Sequence, residues 1–170
     1  HALGWWPGEF LMDLNEWNDI MDFASKRFDG TWLDIFDKYG VDVLKNNLDK
    51  ITGIKLQASV LENREIIEGL KENLTLSGKL LMINISGFTI ESIRKFIDEF
   101  SKLGMKELIL QIGHQAFPTL LKDTGIQKID ILKTSFPGYR ICIADHAGAE
   151  DDFAGIIPLL GVAAGASIIE

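Results

Sequence analysis

The stretch that most constrains this chain is 80–86, LLMINIS, because almost every position on both alternating faces is apolar. A strand with one wet side would alternate apolar and polar residues. This one requires cover on both sides, which favours a parallel sheet flanked by helices. Comparable short runs recur at 31–37 (TWLDIFD), 54–59 (IKLQAS), 107–113 (ELILQIG), 140–145 (RICIAD) and 167–170 (SIIE). Between them the apolar period changes to that of a helix. From 90 to 103, Ile90, Ile93, Phe96, Ile97, Phe100 and Leu103 form one stripe, while Glu91, Arg94, Lys95 and Asp98 face water. Thr89 stands as N-cap and Gly104 as the residue just past the end. A second helix is expected over 14–27 with Trp17, Ile20, Met21 and Ala24 inward, and others over 62–72, 119–132 and 152–164. Pro158 makes the last of these the least regular.

Strand and helix alternating every 25 to 30 residues is the pattern of βαβ units with right-handed crossovers. An open doubly wound sheet and a (β/α)8 barrel both fit it. The polar residues separate the two. Strand after strand turns polar at its C-terminal end, at Asp37, Ser59, Ser86, His114, His146 and Glu170, and a ring of such ends is the active face of a barrel. A doubly wound sheet would carry a Gly-rich turn after its first strand, and neither G-x-G-x-x-G nor G-x-x-x-x-G-K-[ST] is present. Six strands are too few for an eight-stranded barrel. The expected fold is α/β, a partial (β/α)8 TIM barrel, roughly strands 3 to 8, with 1–170 as one segment of a longer barrel domain.

Composition narrows the partners. The formal net charge is -8, and no local basic patch offsets it, which argues against nucleic acid or an anionic membrane surface. The one cysteine, Cys142, excludes an internal disulfide or a Cys-based zinc site and suits a reducing cytoplasm. No apolar run approaches the roughly 18 residues of a membrane span, and the opening HALGWWPGEF lacks the pattern of a secretory signal.

Several residues could carry chemistry. Alternation puts Lys55, Gln57 and Ser59 on one face of their strand. An ammonium pointing into a barrel lumen can hold a carboxylate or phosphate; the plainer reading is a lysine that reaches out to solvent. His146, in Ala144-Asp145-His146-Ala147-Gly148, ends a strand where a metal ligand or an acid/base group belongs, with Asp145 to orient it, or it is a structural histidine with its bonds satisfied. His114 has a similar position and a weaker case. Asn84, Ser86 and Gln115 are neutral groups that can fix phosphate or sugar oxygens, or cap the following helices. Glu150, Asp151 and Asp152 read as the acidic first turn of the next helix, and Trp5 and Trp6 as packing residues.

Taken in order, these blocks resemble the sialic acid (N-acetylneuraminate) synthase family, including its spore-coat polysaccharide synthase-like branch. The match runs through Leu14-Asn15-Glu16-Trp17, Phe36-Asp37, Gly40-Val41-Asp42-Val43 and Lys55-Leu56-Gln57-Ala58-Ser59. It continues through Phe117-Pro118-Thr119 and Ala144-Asp145-His146 to Gly165-Ala166-Ser167-Ile168-Ile169-Glu170. No block is strong alone; their order and spacing are more specific. The resemblance implies a TIM-barrel enzyme with a C-terminal antifreeze-like domain outside this chain, active as a homodimer. It implies condensation of phosphoenolpyruvate with an N-acylated mannosamine-type sugar and release of phosphate. Lys55 would hold phosphoenolpyruvate, with Ser59, Asn84, Ser86 and Gln115 as further substrate-binding residues, and His146 would be one of two histidines on a divalent Mn or Mg. The second histidine would fall just beyond Glu170.

The sequence also departs from the family pattern. Ala58 stands at the phosphate-binding serine, with Ser59 one step on, and Val60 replaces an acidic residue. Ala144, Asn84, Gln115 and Phe117 replace the family's serine, serine, asparagine and tyrosine. Two further readings therefore stand beside the enzyme: a catalytically degenerate barrel kept as a binding or assembly module, and an unrelated phosphate- or sugar-phosphate-binding barrel lyase.

Overall fold

The computed structural model describes residues 12–72, 76–113 and 116–170. Helix and strand alternate throughout: α1 Leu14–Ser25, β1 Trp32–Ile35, α2 Lys38–Asn46, β2 Gly53–Leu56, α3 Arg64–Lys71, β3 Leu80–Asn84, α4 Ile90–Phe100, β4 Glu107–Ile112, α5 Lys128–Ser135, β5 Arg140–Ile143, α6 Ile157–Ala164 and β6 Ile168–Ile169. Every pairing is parallel, and the strands lie in the order β1-β2-β3-β4-β5-β6. A doubly wound sheet would reverse direction at a switch point. This sheet never does, and it curls as a half-barrel with the helices outside, the partial (β/α)8 barrel that the polar strand ends imply.

Strand β3 is buried on both faces, as the 80–86 run demands. Leu33, Ile35, Ile54, Leu56, Leu81, Ile83, Leu110, Ile141 and Ile143 pack against Val41, Leu44, Ile66, Leu70, Ile93, Phe100, Ile129 and Leu132 of the helix layer. On the other, concave face Met82, Ile109 and Cys142 form a small separate cluster, with Ile168 against it.

Local chemistry sets the helix ends. Asp13 and Glu16 form a reciprocal capping box on α1. Thr89 accepts from the Ser92 amide on α4, and Gly104 ends the following turn at φ 72, both as expected. Gly161 lets α6 sit close on β5, since a Cβ there would lie 2.8 Å from Ile143 Cγ2.

The helix readings need four corrections. A helix, α2, lies between the first two strands, where none was expected, with Asp37 accepting from the Gly40 amide as its N-cap. Ile20 is exposed, because α1 presents mainly Met21 to the core. The 119–132 segment is a short turn, Leu121–Asp123, followed by α5, since Gly125 takes a left-handed φ of +74. Helix α6 starts at Ile157, so Glu150, Asp151 and Asp152 precede it by more than a turn; Asp151 instead accepts from the Phe153 amide.

Candidate active face

Strand alternation turns Asp34, Lys55, Asn84, Gln111 and Cys142 away from the helix layer and onto the concave face. Lys55 lies at their centre. Its Nζ pairs with the Glu170 carboxylate and lies 3.6 Å from Asp34 Oδ2. Gln57 Nε2 donates to the same Asp34 oxygen at 2.8 Å, and Asn84 Nδ2 donates to Gln57 Oε1 at 3.2 Å. The Ser86 amide donates to Asn84 Oδ1 and the Gly113 amide to Ser86 Oγ, each at 3.0 Å. From the other side, Gln111 Nε2 donates to the Glu170 carboxylate and approaches Cys142 Sγ at 3.7 Å. One polar network thus crosses the concave face from β1 to the end of β6.

Burial shapes its electrostatics. Desolvation raises the Asp34 carboxyl above its ordinary range, against the opposing hydrogen bond from Gln57 and the Lys55 charge, with Glu170 adding to the rise. Burial likewise pushes the Cys142 thiol up to about 11, opposed by the Gln111 bond and reinforced by the Glu170 charge. At pH 8 about one Cys142 in a thousand would then be thiolate. We therefore expect the native protein to resist Ellman's reagent at that pH and the urea-unfolded chain to react with one equivalent. Rapid labelling of the native form would show that Cys142 is not held as described.

Of the expected substrate-binding residues, Asn84 is buried and Ser86 half-buried, and both belong to the network. Ser59 is placed differently. The strand ends at Leu56 and the chain enters a 3-10 turn, Ala58–Val60, so the alternation that begins at Lys55 does not reach it, and its side chain is exposed. His146 is half-buried in the loop after β5, and its carbonyl accepts from the Thr119 amide at 2.7 Å. That bond joins two blocks of the sequence pattern, Phe117-Pro118-Thr119 and Ala144-Asp145-His146. The Asp145 side chain accepts from the Ala147 amide, and its own amide donates to the Glu170 carbonyl at 2.9 Å, tying the His146 loop to the residue that pairs with Lys55. His114, Gln115, Trp5 and Trp6 lie outside the described residues.

Asp34 and Gln111 are the members of the site that sequence reasoning passed over. The signal was present: each is a polar residue inside an otherwise apolar run, WLDI and LILQI. Among the described residues no three His, Cys, Asp or Glu side chains come together as a metal cage. A divalent Mn or Mg held at His146 would therefore draw most of its shell from water, substrate oxygens or groups outside the described residues. Among the described residues, no helix is long and apolar enough to cross a membrane.

No family model matches the sequence, and no curated protein matches it. Solved structures do. One is a protein of Chromobacterium violaceum assigned as spore coat polysaccharide biosynthesis protein E, with a TM-score of 0.79 at 19% identity, covering 95% of this chain and 45% of that one. Another is a spore coat polysaccharide biosynthesis protein of Bacillus subtilis, with a TM-score of 0.75 at 16% identity, covering 94% of this chain and 42% of that one. The chain thus spans less than half the length of these neighbours. At such identities the likeness establishes the fold, and the fold is the one the strand order shows.

Proposed function

We propose that this chain is part of a sialic acid synthase-like protein of carbohydrate biosynthesis, which condenses phosphoenolpyruvate with an N-acylated mannosamine-type sugar and releases phosphate. The observation that carries the reading is Lys55, a cation nearly buried at the centre of a polar network on the concave face. The neighbours' assignment to spore coat polysaccharide biosynthesis supports a role in carbohydrate biosynthesis.

In this reading the Lys55 ammonium takes the carboxylate or phosphate of phosphoenolpyruvate as Glu170 moves aside. Asn84 and Ser86 position oxygens beside it, Ser59 would bind at the rim, and Gln115 would be a further substrate-binding residue. His146, in the loop tied to Glu170, would serve as one ligand of a divalent Mn or Mg, which would polarise the sugar aldehyde. The intact protein would act as a homodimer. A second reading also has an observation in its favour. Lys55 already faces two carboxylates, and Ala58 and Ala144 supply no hydroxyl, which suits a degenerate barrel acting as a binding module.

The deciding experiment is phosphate release by the parent protein from phosphoenolpyruvate, with N-acylated mannosamines and both Mn and Mg supplied. Sugar-dependent release is expected, with turnover collapsing in His146→Ala while the fold persists. No release with any of these sugars would favour the binding module.

A further inference from the structure

A cavity of about 580 Å³ lies between α4 and α5, beside the ends of β3 and β4. Ile90 and Ile93 of α4, Ile131 and Leu132 of α5, and Ile85 and Ile112 from the sheet line it. Ile85, Ile93, Ile112 and Leu132 belong to the core beneath the helices. The cavity is therefore on the helix side of the sheet, with the strands between it and Lys55. Its volume falls within the roughly 300–1,000 Å³ of small-molecule sites, which are likewise lined mainly by apolar side chains with a few polar groups.

Two opposite charges stand at this cavity, and neither is paired. Asp123 and Lys128 both line it, both are exposed, and among the described residues neither forms an ion pair. Lys128 folds back along Gly125, with its Nζ 4.0 Å from where a Cβ on that glycine would stand. Its ammonium thus lies at the start of α5, whose first turn has no side-chain cap. The lysine and the helix start both favour a carboxylate there. Asp123, on the other side of Gly125 in the chain, offers the opposite sign. A ligand that answers all of these features carries an apolar body, a carboxylate and an ammonium.

We propose that the cavity between α4 and α5 binds an apolar amino acid of aromatic size, its side chain among the isoleucines, its carboxylate toward Lys128 and its ammonium toward Asp123. A sugar gains nothing from the isoleucine walls, and a polyanion meets Asp123. The site is therefore separate from the concave face in chemistry as well as in place.

Calorimetric titration of the parent protein with L-phenylalanine tests this. The control ligands 3-phenylpropionate, phenethylamine and L-aspartate lack in turn the ammonium, the carboxylate and the apolar body, and phenylalanine should bind more tightly than any of them. Ile131→Glu places a charge in the wall at a position 56% exposed, where the fold tolerates it, and should weaken phenylalanine about tenfold or more. Lys128→Gln should weaken phenylalanine about threefold to fivefold, the scale of an exposed ion pair, and leave phenethylamine unchanged. Asp123→Asn should weaken phenylalanine and leave 3-phenylpropionate equal or tighter. These two exposed changes stand in if Ile131→Glu fails to fold by circular dichroism. The proposal is overturned by no phenylalanine binding to the unaltered protein, by L-aspartate binding as tightly, or by phenylalanine affinity unchanged within twofold in folded Ile131→Glu. Equal losses for phenylalanine and phenethylamine in Lys128→Gln would also overturn it. Phosphate release plays no part in these measurements, so the synthase reading can fail while this site stands.

Discussion

Lys55→Met should cost the parent protein its affinity for phosphoenolpyruvate, by roughly thirtyfold to a hundredfold, the scale of a charge-assisted hydrogen bond lost from a nearly buried site. Lys55 faces Asp34 and Glu170 directly. Removing the cation leaves those carboxylates to repel the incoming anion, so the loss should appear in KM more than in kcat. The same variant should show a second signature, in stability against pH. A carboxyl whose folded pKa lies above its unfolded value favours the fold when protonated, and that contribution is lost as pH rises through the raised value. Asp34 is such a group, and Lys55 is one of the influences that limit its rise. Without Lys55 the loss is larger, so the urea-midpoint gap between the variant and the unaltered protein should widen from about pH 4 to about pH 7. A gap that narrows over this range, or an unchanged KM, would refute the assignment of Lys55 as the central cation.

Phe100→Ala should be the most damaging of the core truncations. Phe100 closes α4, is 1% exposed, and lies with its ring centroid 6.5 Å from that of Phe96. Truncating a buried phenylalanine costs about 3–5 kcal/mol, because the cavity does not fully collapse. Domains of ordinary stability have only about 5–15 kcal/mol in total. Chemical unfolding monitored by far-ultraviolet circular dichroism should show a much lower midpoint or no cooperative transition. A loss below about 1 kcal/mol would mean that α4 does not seal the core as described.

The strands were legible as short apolar runs that turn polar at their C-terminal ends, and 80–86 states burial on both faces almost without ambiguity. The helices were legible where an apolar stripe met a cap, as between Thr89 and Gly104. Helix α2 was hidden because KYGVDVLKN carries a glycine and two β-branched valines, which lower its intrinsic propensity. Its helical state comes from the Asp37 cap and from burying Val41, Val43 and Leu44. Ser59 was misjudged for another reason: alternation can be extrapolated only while the ladder lasts, and β2 ends at Leu56. The network itself needed three dimensions. Lys55 and Glu170 are 115 residues apart, and nothing in the residues between them announces that they meet.

The strictly sequential sheet also bears on how the molecule is made. Trp32 pairs with Gly53, 21 residues on, and Ile109 with Arg140, 31 residues on, so every strand closes a loop of similar, modest length onto the one before it. Contact order is therefore low for a parallel sheet. A nascent chain can lay down each of these units as it clears the ribosome, each new strand pairing with the one made just before it. The hazard falls on the growing edge: at every moment the newest strand presents its unpaired amides and carbonyls to solvent, and during synthesis that edge is where a second nascent chain would most easily pair.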